Sequence, residues 1–122
     1  MLPPSIDFEF YVGMSRPLPP VDETRKQLSV LLRMLEDHYG LKPIIYATRR
    51  SFSAYLEGYF DDYDFWMRDI YFEPSSPWKF WQYTNRGLLK GYTGKEKYID
   101  MNVFSGTMSD FKRYPSCSNN EE

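Results

Sequence analysis

The chain has 122 residues, enough for one domain with a single core. Its 15 basic and 17 acidic residues leave a net charge of −2, without the basic excess of a nucleic-acid binder. One cysteine, Cys117, excludes an internal disulfide, and one histidine, His38, excludes a multi-histidine zinc site from this chain alone. 

Residues Ser5 to Tyr11 alternate strictly, which predicts a strand. Ile6, Phe8 and Phe10 share one face; Asp7, Glu9 and Tyr11 share the other. Before it, Met1-Leu2-Pro3-Pro4 lacks the basic and apolar runs of a signal peptide. Gly13, Pro17, Pro19 and Pro20 mark residues 12–20 as a loop. Val21 to Tyr39 is the clearest helix, with Val21, Arg25, Leu28, Leu32, Leu35 and Tyr39 at helical spacing and Leu31 widening the stripe. Asp22 and Glu23 suit its start and Gly40 its end. Ile44 to Ala47 is a short apolar run, the pattern of a buried parallel strand. A shorter helix is expected from Ser51, as cap, to about Glu57, with Gly58 as its stop. Phe65 to Ile70, Trp78 to Thr84 and Tyr98 to Phe104 read as three further strands, separated by a turn at 73–77 and a glycine-rich loop or loose hairpin at 85–97. Thr107 to about Arg113 is a last short helix, and the polar tail 115–122 is expected to be disordered. Strands alternating with helices imply an α/β fold with parallel pairing and right-handed crossovers. No apolar run nears the ~20 residues of a membrane-spanning helix, so membrane insertion is not expected.

Asp7 and Glu9 stand two apart on one strand face, with Cα atoms roughly 6–7 Å apart. Paired carboxylates repel, so one pKa rises while the other group stays ionised. Glycoside hydrolysis uses such a divided pair: a protonated carboxyl feeds the leaving oxygen beside a second, charged one. A plain solvated strand face has the same pattern. Three other segments bear on the choice. Trp78-Lys79-Phe80-Trp81-Gln82-Tyr83 sets aromatics around an amide, Tyr98 to Phe104 puts Asp100 and Asn102 on one face, and Phe65 to Asp69 does the same for Trp66 and Arg68. Aromatic residues make up 19% of the chain, and Trp66 and Trp81 are candidates either for packing or for stacking on sugar rings. Together these segments put carboxylates, an arginine and aromatics near the ends of successive strands, the rim that holds the active site in parallel barrels.

The ordered chain resembles glycoside hydrolase family 25, the bacterial and phage lysozymes. The segments that carry the resemblance are Leu2 to Phe10, Lys42 to Thr48, Phe80 to Thr84 and Lys97 to Phe104, in the family's order and spacing. The resemblance implies hydrolysis of the β-1,4 bond between N-acetylmuramic acid and N-acetylglucosamine in peptidoglycan, outside the cell or at its wall. It makes Glu9 the general acid and Asp7 its carboxylate partner, which positions the acetamido group or the intermediate. Asp100 becomes a further active-site aspartate, while Tyr46, Trp66, Arg68, Trp81, Gln82 and Asn102 are candidates to line the sugar groove. No metal or cofactor is implied.

In the family the Asp-x-Glu strand lies mid-barrel, after strands that carry another active-site aspartate. An eight-stranded barrel takes about 200–250 residues. The resemblance therefore implies an incomplete TIM-like (β/α) barrel of about five strands with two or three helices. Residues 1–114 would be the C-terminal part of a lysozyme domain. Two other readings stay open: a non-catalytic module that binds cell-wall glycan, and a catalytically dead fragment. An exposed first strand also points to self-association through its edge.

Overall fold

The computed structural model describes residues 2–9, 19–88, 90–91, 94 and 98–114. Five strands form one sheet: β1 (Ser5–Phe8), β2 (Ile44–Thr48), β3 (Asp64–Arg68), β4 (Phe80–Gly87) and β5 (Ile99–Phe104). Their order in space is their order in sequence. The pairs β1–β2, β2–β3 and β3–β4 are parallel, and β5 returns antiparallel to β4. Helix α1 (Val21–Tyr39) makes the first crossover. The second begins as a short helix, α2 (Arg49–Ser51), and continues as a π-helix (Phe52–Leu56). A last helix, α3 (Met108–Arg113), follows β5. This is an α/β fold with a partial barrel, with the expected five strands and its helices on the expected segments.

Alternation along the strands divides the sheet into two faces. Ile6, Phe8, Ile45, Ala47, Phe65 and Met67 turn to one side and pack with Leu28 and Leu32 of α1 and Phe52, Tyr55 and Leu56 of the π-helix. This is the core. The buried stripe of α1 is narrower than its sequence predicts, for Val21, Leu31 and Tyr39 stay exposed. Arg25 lies on that stripe because it has a partner: its Nε donates to the Tyr55 carbonyl at 2.6 Å, and its guanidinium covers the Tyr59 ring. Gly40 ends α1 at φ +75, the left-handed conformation that suits glycine, with its N–H on the Glu36 carbonyl.

Several boundaries differ from the sequence reading, β3 among them, which runs Asp64–Arg68 rather than Phe65 to Ile70. The helix cap is Thr48, and Ser51 is its reciprocal partner three residues on: Ser51 N–H donates to Thr48 Oγ1 and Thr48 N–H to Ser51 Oγ. Strand β4 starts at Phe80 rather than Trp78 and runs on to Gly87, into the expected loop. Its antiparallel pairing with β5 continues through two register shifts, to Thr84 with Met101 and Gly87 with Ile99. At position 87 a Cβ would stand 2.4 Å from Met101 Sδ, so any larger residue obliges the Met101 side chain to move. Finally β1 ends at Phe8. Phe10, Tyr11, most of the 12–20 loop and the 115–122 tail lie outside the described residues.

Ser51 has a second role. It is fully buried at 0% exposure, and its hydroxyl donates to the Phe8 carbonyl at 2.8 Å, tying the β2–α2 junction to the end of β1. Ser51→Ala removes that bond and half of the reciprocal cap. The expected cost is about 1–3 kcal/mol, read from urea unfolding, with Ser51→Thr recovering part of it. An unchanged midpoint would show that the bond carries no stability.

Among the described residues β1 and β5 each have a neighbour on one side only. Unpaired strand edges recruit other strands. The chain is therefore expected to self-associate, with light scattering at rising concentration reading a mass above 14.6 kDa. A concentration-independent monomer would show that these edges are protected.

Candidate active site

The face of the sheet turned away from the core gathers the candidate residues. Register aligns Asp7 with Tyr46, Tyr46 with Trp66 and Trp66 with Phe80 across four strands. One step further along, Thr48, Arg68, Gln82 and Asn102 form a second row. In-register neighbours point the same way, so both rows face one side. Glu9 continues the alternation of β1 and leaves the strand at its C-terminal end, partly buried.

Cross-strand hydrogen bonds fix these side chains. The Tyr46 hydroxyl donates to Gln82 Oε1, joining β2 to β4, and Gln82 is 4% exposed. Trp66 Nε1 donates to Asn102 Oδ1 at 2.8 Å, joining β3 to β5. The Tyr46 and Trp66 rings meet edge to face at 4.9 Å.

Electrostatics draw the carboxylates into the same cluster. Burial pushes the Glu9 carboxyl above its ordinary pKa of 4.5; a hydrogen bond to Asp7 and the Asp7 charge push it further, and Arg68 opposes them. The protonated form of Glu9 is thus favoured beside Asp7. The Tyr46 hydroxyl is pushed up to about 12, first by burial and then by the charge of Glu9, with smaller contributions from Asp7 and Asp100 and an opposing one from Arg68. Tyr46 is therefore a neutral hydrogen-bonding group at any working pH. It also marks the place where Asp7, Glu9, Asp100 and Arg68 converge.

Eight of the nine residues singled out from sequence fall in this cluster: Asp7, Glu9, Tyr46, Trp66, Arg68, Gln82, Asp100 and Asn102. Trp81 does not. It pairs with the buried Met67, on the side opposite Gln82, and its Nε1 donates to the Asp69 carbonyl at 2.9 Å. Its ring lies against Trp78 and Tyr83. Strand alternation explains the separation, since neighbouring residues on β4 point to opposite faces. Among the described residues no group of three His, Cys, Asp or Glu is placed to hold a metal ion.

Sequence reasoning missed two features. Ser51 holds the carbonyl of the residue before Glu9 and so fixes the strand end from which the carboxyl projects; the Thr48-x-x-Ser51 spacing was its signal. An apolar cavity of about 610 Å³ lies along the same face, lined in part by Leu2, Ile44, Trp66, Phe80, Phe104 and Phe111. Helix α3 closes its lower end: Phe111 and Tyr114 pack on Phe80 and Phe104, and the Tyr114 hydroxyl donates to Asp64 at 2.5 Å.

The chain is similar to several known proteins. A family 25 glycosyl hydrolase from Bacillus anthracis superposes with a TM-score of 0.84 at 47% identity, covering 93% of this chain and 54% of that one. The spore cortex lytic enzyme SleM of Clostridium perfringens gives a TM-score of 0.68 at 20% identity, over 89% of this chain and 38% of its own, and shows likeness of fold alone. The uncharacterized protein YegX of Escherichia coli strain K12 is 35% identical over 96 residues, which are 75% of this chain and 34% of YegX. The chain thus spans about a third of that curated relative and about half of the Bacillus anthracis structure. The model of "Glycosyl hydrolases family 25" matches residues 1–92, most of the sequence, and the chain belongs to that family.

Proposed function

We propose that this face performs lysozyme-type chemistry, with Glu9 as the general acid that cleaves the β-1,4 bond between N-acetylmuramic acid and N-acetylglucosamine in peptidoglycan. The observation that carries the reading is the divided carboxyl pair: a partly buried Glu9 whose protonated form is favoured, hydrogen-bonded to Asp7 on a face lined by aromatic and amide groups. Family membership supports the reaction class. The reaction would take place at the cell wall.

Glu9 gives its proton to the glycosidic oxygen as the bond from that oxygen to the sugar C1 breaks. Asp7 holds the proton in place beforehand. The two carboxyls are hydrogen-bonded to each other, so they stand on one side of the scissile bond rather than across it from one another. Asp7 is thus suited to orient the substrate's acetamido group, and Asp100 adds negative charge that favours a cationic sugar ring. Trp66 offers a ring face for stacking, and Tyr46, Gln82 and Asn102 offer hydrogen bonds. Arg68 offsets the excess negative charge. Trp81, on the other face, takes no part.

Glu9→Gln is expected to lower muropeptide release from purified peptidoglycan by about 10²–10⁴-fold while leaving glycan binding intact. Full activity in that variant overturns the assignment. Binding to the insoluble wall by the unaltered chain, with no release, makes it a glycan-binding module instead.

The pH dependence follows from the direction of the Glu9 shift. The acid works while protonated, so the rate falls as pH rises through the raised Glu9 pKa. Asp7→Asn removes two of the groups' raising influences and moves that falling limb to lower pH; Arg68→Ala removes a lowering one and moves it higher. Stability shares the sign. Burial favours the protonated carboxyl, so the Glu9 contribution to the fold is present at low pH and is lost as pH rises through the folded-state pKa. Comparing pH–rate profiles of the three proteins is the check, and shifts in the opposite directions would overturn the account.

A further inference from the structure

We propose that Asp69 is a positioning residue: by pinning the end of β3 it aims Arg68 at the carboxyl pair of Glu9 and Asp7. The inference deepens the lysozyme reading above, on which its bearing on catalysis rests.

Register sets the geometry. Glu9 lies two residues past Asp7, Thr48 two past Tyr46 and Arg68 two past Trp66. Glu9, Thr48 and Arg68 therefore continue, as one row, the alignment of Asp7, Tyr46 and Trp66. Two strand spacings separate Glu9 from Arg68, about 9–10 Å between backbones. Thr48 between them is small, and its hydroxyl oxygen accepts from the Ser51 N–H. A guanidinium on a long stem can cross that gap, as the Tyr46 and Trp66 side chains cross theirs. Burial and Asp7 raise the Glu9 pKa, and Arg68 opposes them. How strongly it does so depends on where β3 delivers it.

Strand β3 ends at Arg68, and Asp69 holds the chain from there. Its N–H donates to the Gln82 carbonyl at 3.1 Å, and its own carbonyl accepts from Trp81 Nε1 at 2.9 Å. Its carboxylate is buried and fully engaged. Oδ2 accepts from Arg49 at 2.7 Å, and Oδ1 accepts from the backbone N–H groups of Tyr71 and Phe72 at 3.1 Å each. Burial acts to raise the Asp69 pKa, but these bonds outweigh it and hold the group ionised. The two N–H bonds fold residues 69–72 into a tight turn. Tyr71 and Phe72 are 80% and 69% exposed, so side-chain packing does little to hold that turn, and the carboxylate does most. Arg49 directly follows Thr48, so the ion pair ties the end of β3 to the end of β2.

Arg68 itself borders a cavity of about 260 Å³ on its outer side, where close packing does not fix it. The anchor at Asp69 is what sets its direction. Asp69 turns to the opposite face, with Trp81, and acts on the site only through Arg68. The charged and titratable groups around Glu9 are Asp7 on β1, Tyr46 on β2, Arg68 on β3 and Asp100 on β5. Those around Asp69 are Arg49, with Glu57 and Asp61 lining the same cavity behind it.

The test is an NMR titration of the Glu9 carboxyl in the full chain, which needs no turnover. Asp69→Ala releases both the turn and the ion pair. It is expected to move the Glu9 titration to higher pH, in the direction of Arg68→Ala and by a comparable amount. Loss of a negative charge acts the other way, because it makes the Glu9 carboxylate easier to form. With Arg68→Ala already present, Asp69→Ala is expected to add no further upward shift, the non-additivity of two residues that act through one group. Asp69→Asn keeps an acceptor for the two backbone N–H groups and should recover part of the unaltered profile. Thermal unfolding checks that each variant folds. Should Asp69→Ala not fold, Arg49→Ala, on a side chain 66% exposed, breaks the ion pair alone and carries the same two measurements. A downward shift, no shift, or an upward shift of equal size without Arg68 overturns the proposal. The rate of muropeptide release separates it from the reading on which it rests: if Glu9 titrates as expected and the unaltered chain releases no muropeptides, the lysozyme reading falls while Asp69 keeps its role.

Discussion

A β-strand turns alternate side chains to opposite faces, and the parallel register of four strands makes that rule collective. Once Ile6, Ile45, Phe65 and Met67 turn toward α1, the residues between them must turn the other way. Asp7, Tyr46, Trp66 and Arg68 share a surface because their neighbours share a core. A slip of one residue in any pairing would exchange the two sets, burying a carboxylate or an arginine against Leu32. The energy that places the site is therefore the hydrophobic burial on the far side of the sheet. The site's own polar groups need only choose among orientations on a surface already assigned to them.

They do so by bonding across strands rather than along them. Tyr46 reaches Gln82 two strands away, and Trp66 reaches Asn102, also two strands away. These bonds skip a strand because all the side chains stand on one face and the Tyr46 and Trp66 side chains are long enough to reach past the strand between. These partners are thereby held in place by the protein itself, a pre-organised arrangement. Ser51 supplies the corresponding restraint at the edge of the sheet, where β1 has a neighbour on one side and the strand end carrying Glu9 needs another hold.

The elements legible in the sequence were those set by short-range pattern. The helical spacing from Val21 to Tyr39 and the alternation around Asp7 and Glu9 both survive as read. So does the convergence of Asp7, Glu9, Asp100 and their companions, since strand parity and strand order together fix which residues share a face. Other features depended on contacts that no local window contains. Trp81 reads like Trp66 in sequence, and only the pairing of Trp81 with Met67 shows which face it takes. The extension of β4 to Gly87 depends on β5 lying beside it, and a stretch rich in glycine and charge has no strand pattern of its own. The widened stripe on α1 failed for a related reason: a helix against a five-stranded sheet buries only what the sheet can reach, and Leu31 lies beyond it. The role of Asp69 was also out of view. Its partners are a guanidinium twenty residues earlier and two backbone amides.

The lower end of the site face shows how narrowly such a surface is held. Helix α3 has six residues and none of them is buried. A helix that short does not persist by its own hydrogen bonds. It is kept by its Thr107–Asp110 capping box and by ring contacts of Phe111 and Tyr114 with Phe80 and Phe104, closed by the bond from Tyr114 to Asp64. Phe80 and Phe104 belong to the same face as Trp66 and Asn102, and the cavity beneath the polar cluster is bounded by both groups. The face thus runs from the aromatic rings against α3, through the amide and carboxyl groups around Tyr46, to Arg68 at the end of β3. Polarity rises along one direction of the sheet.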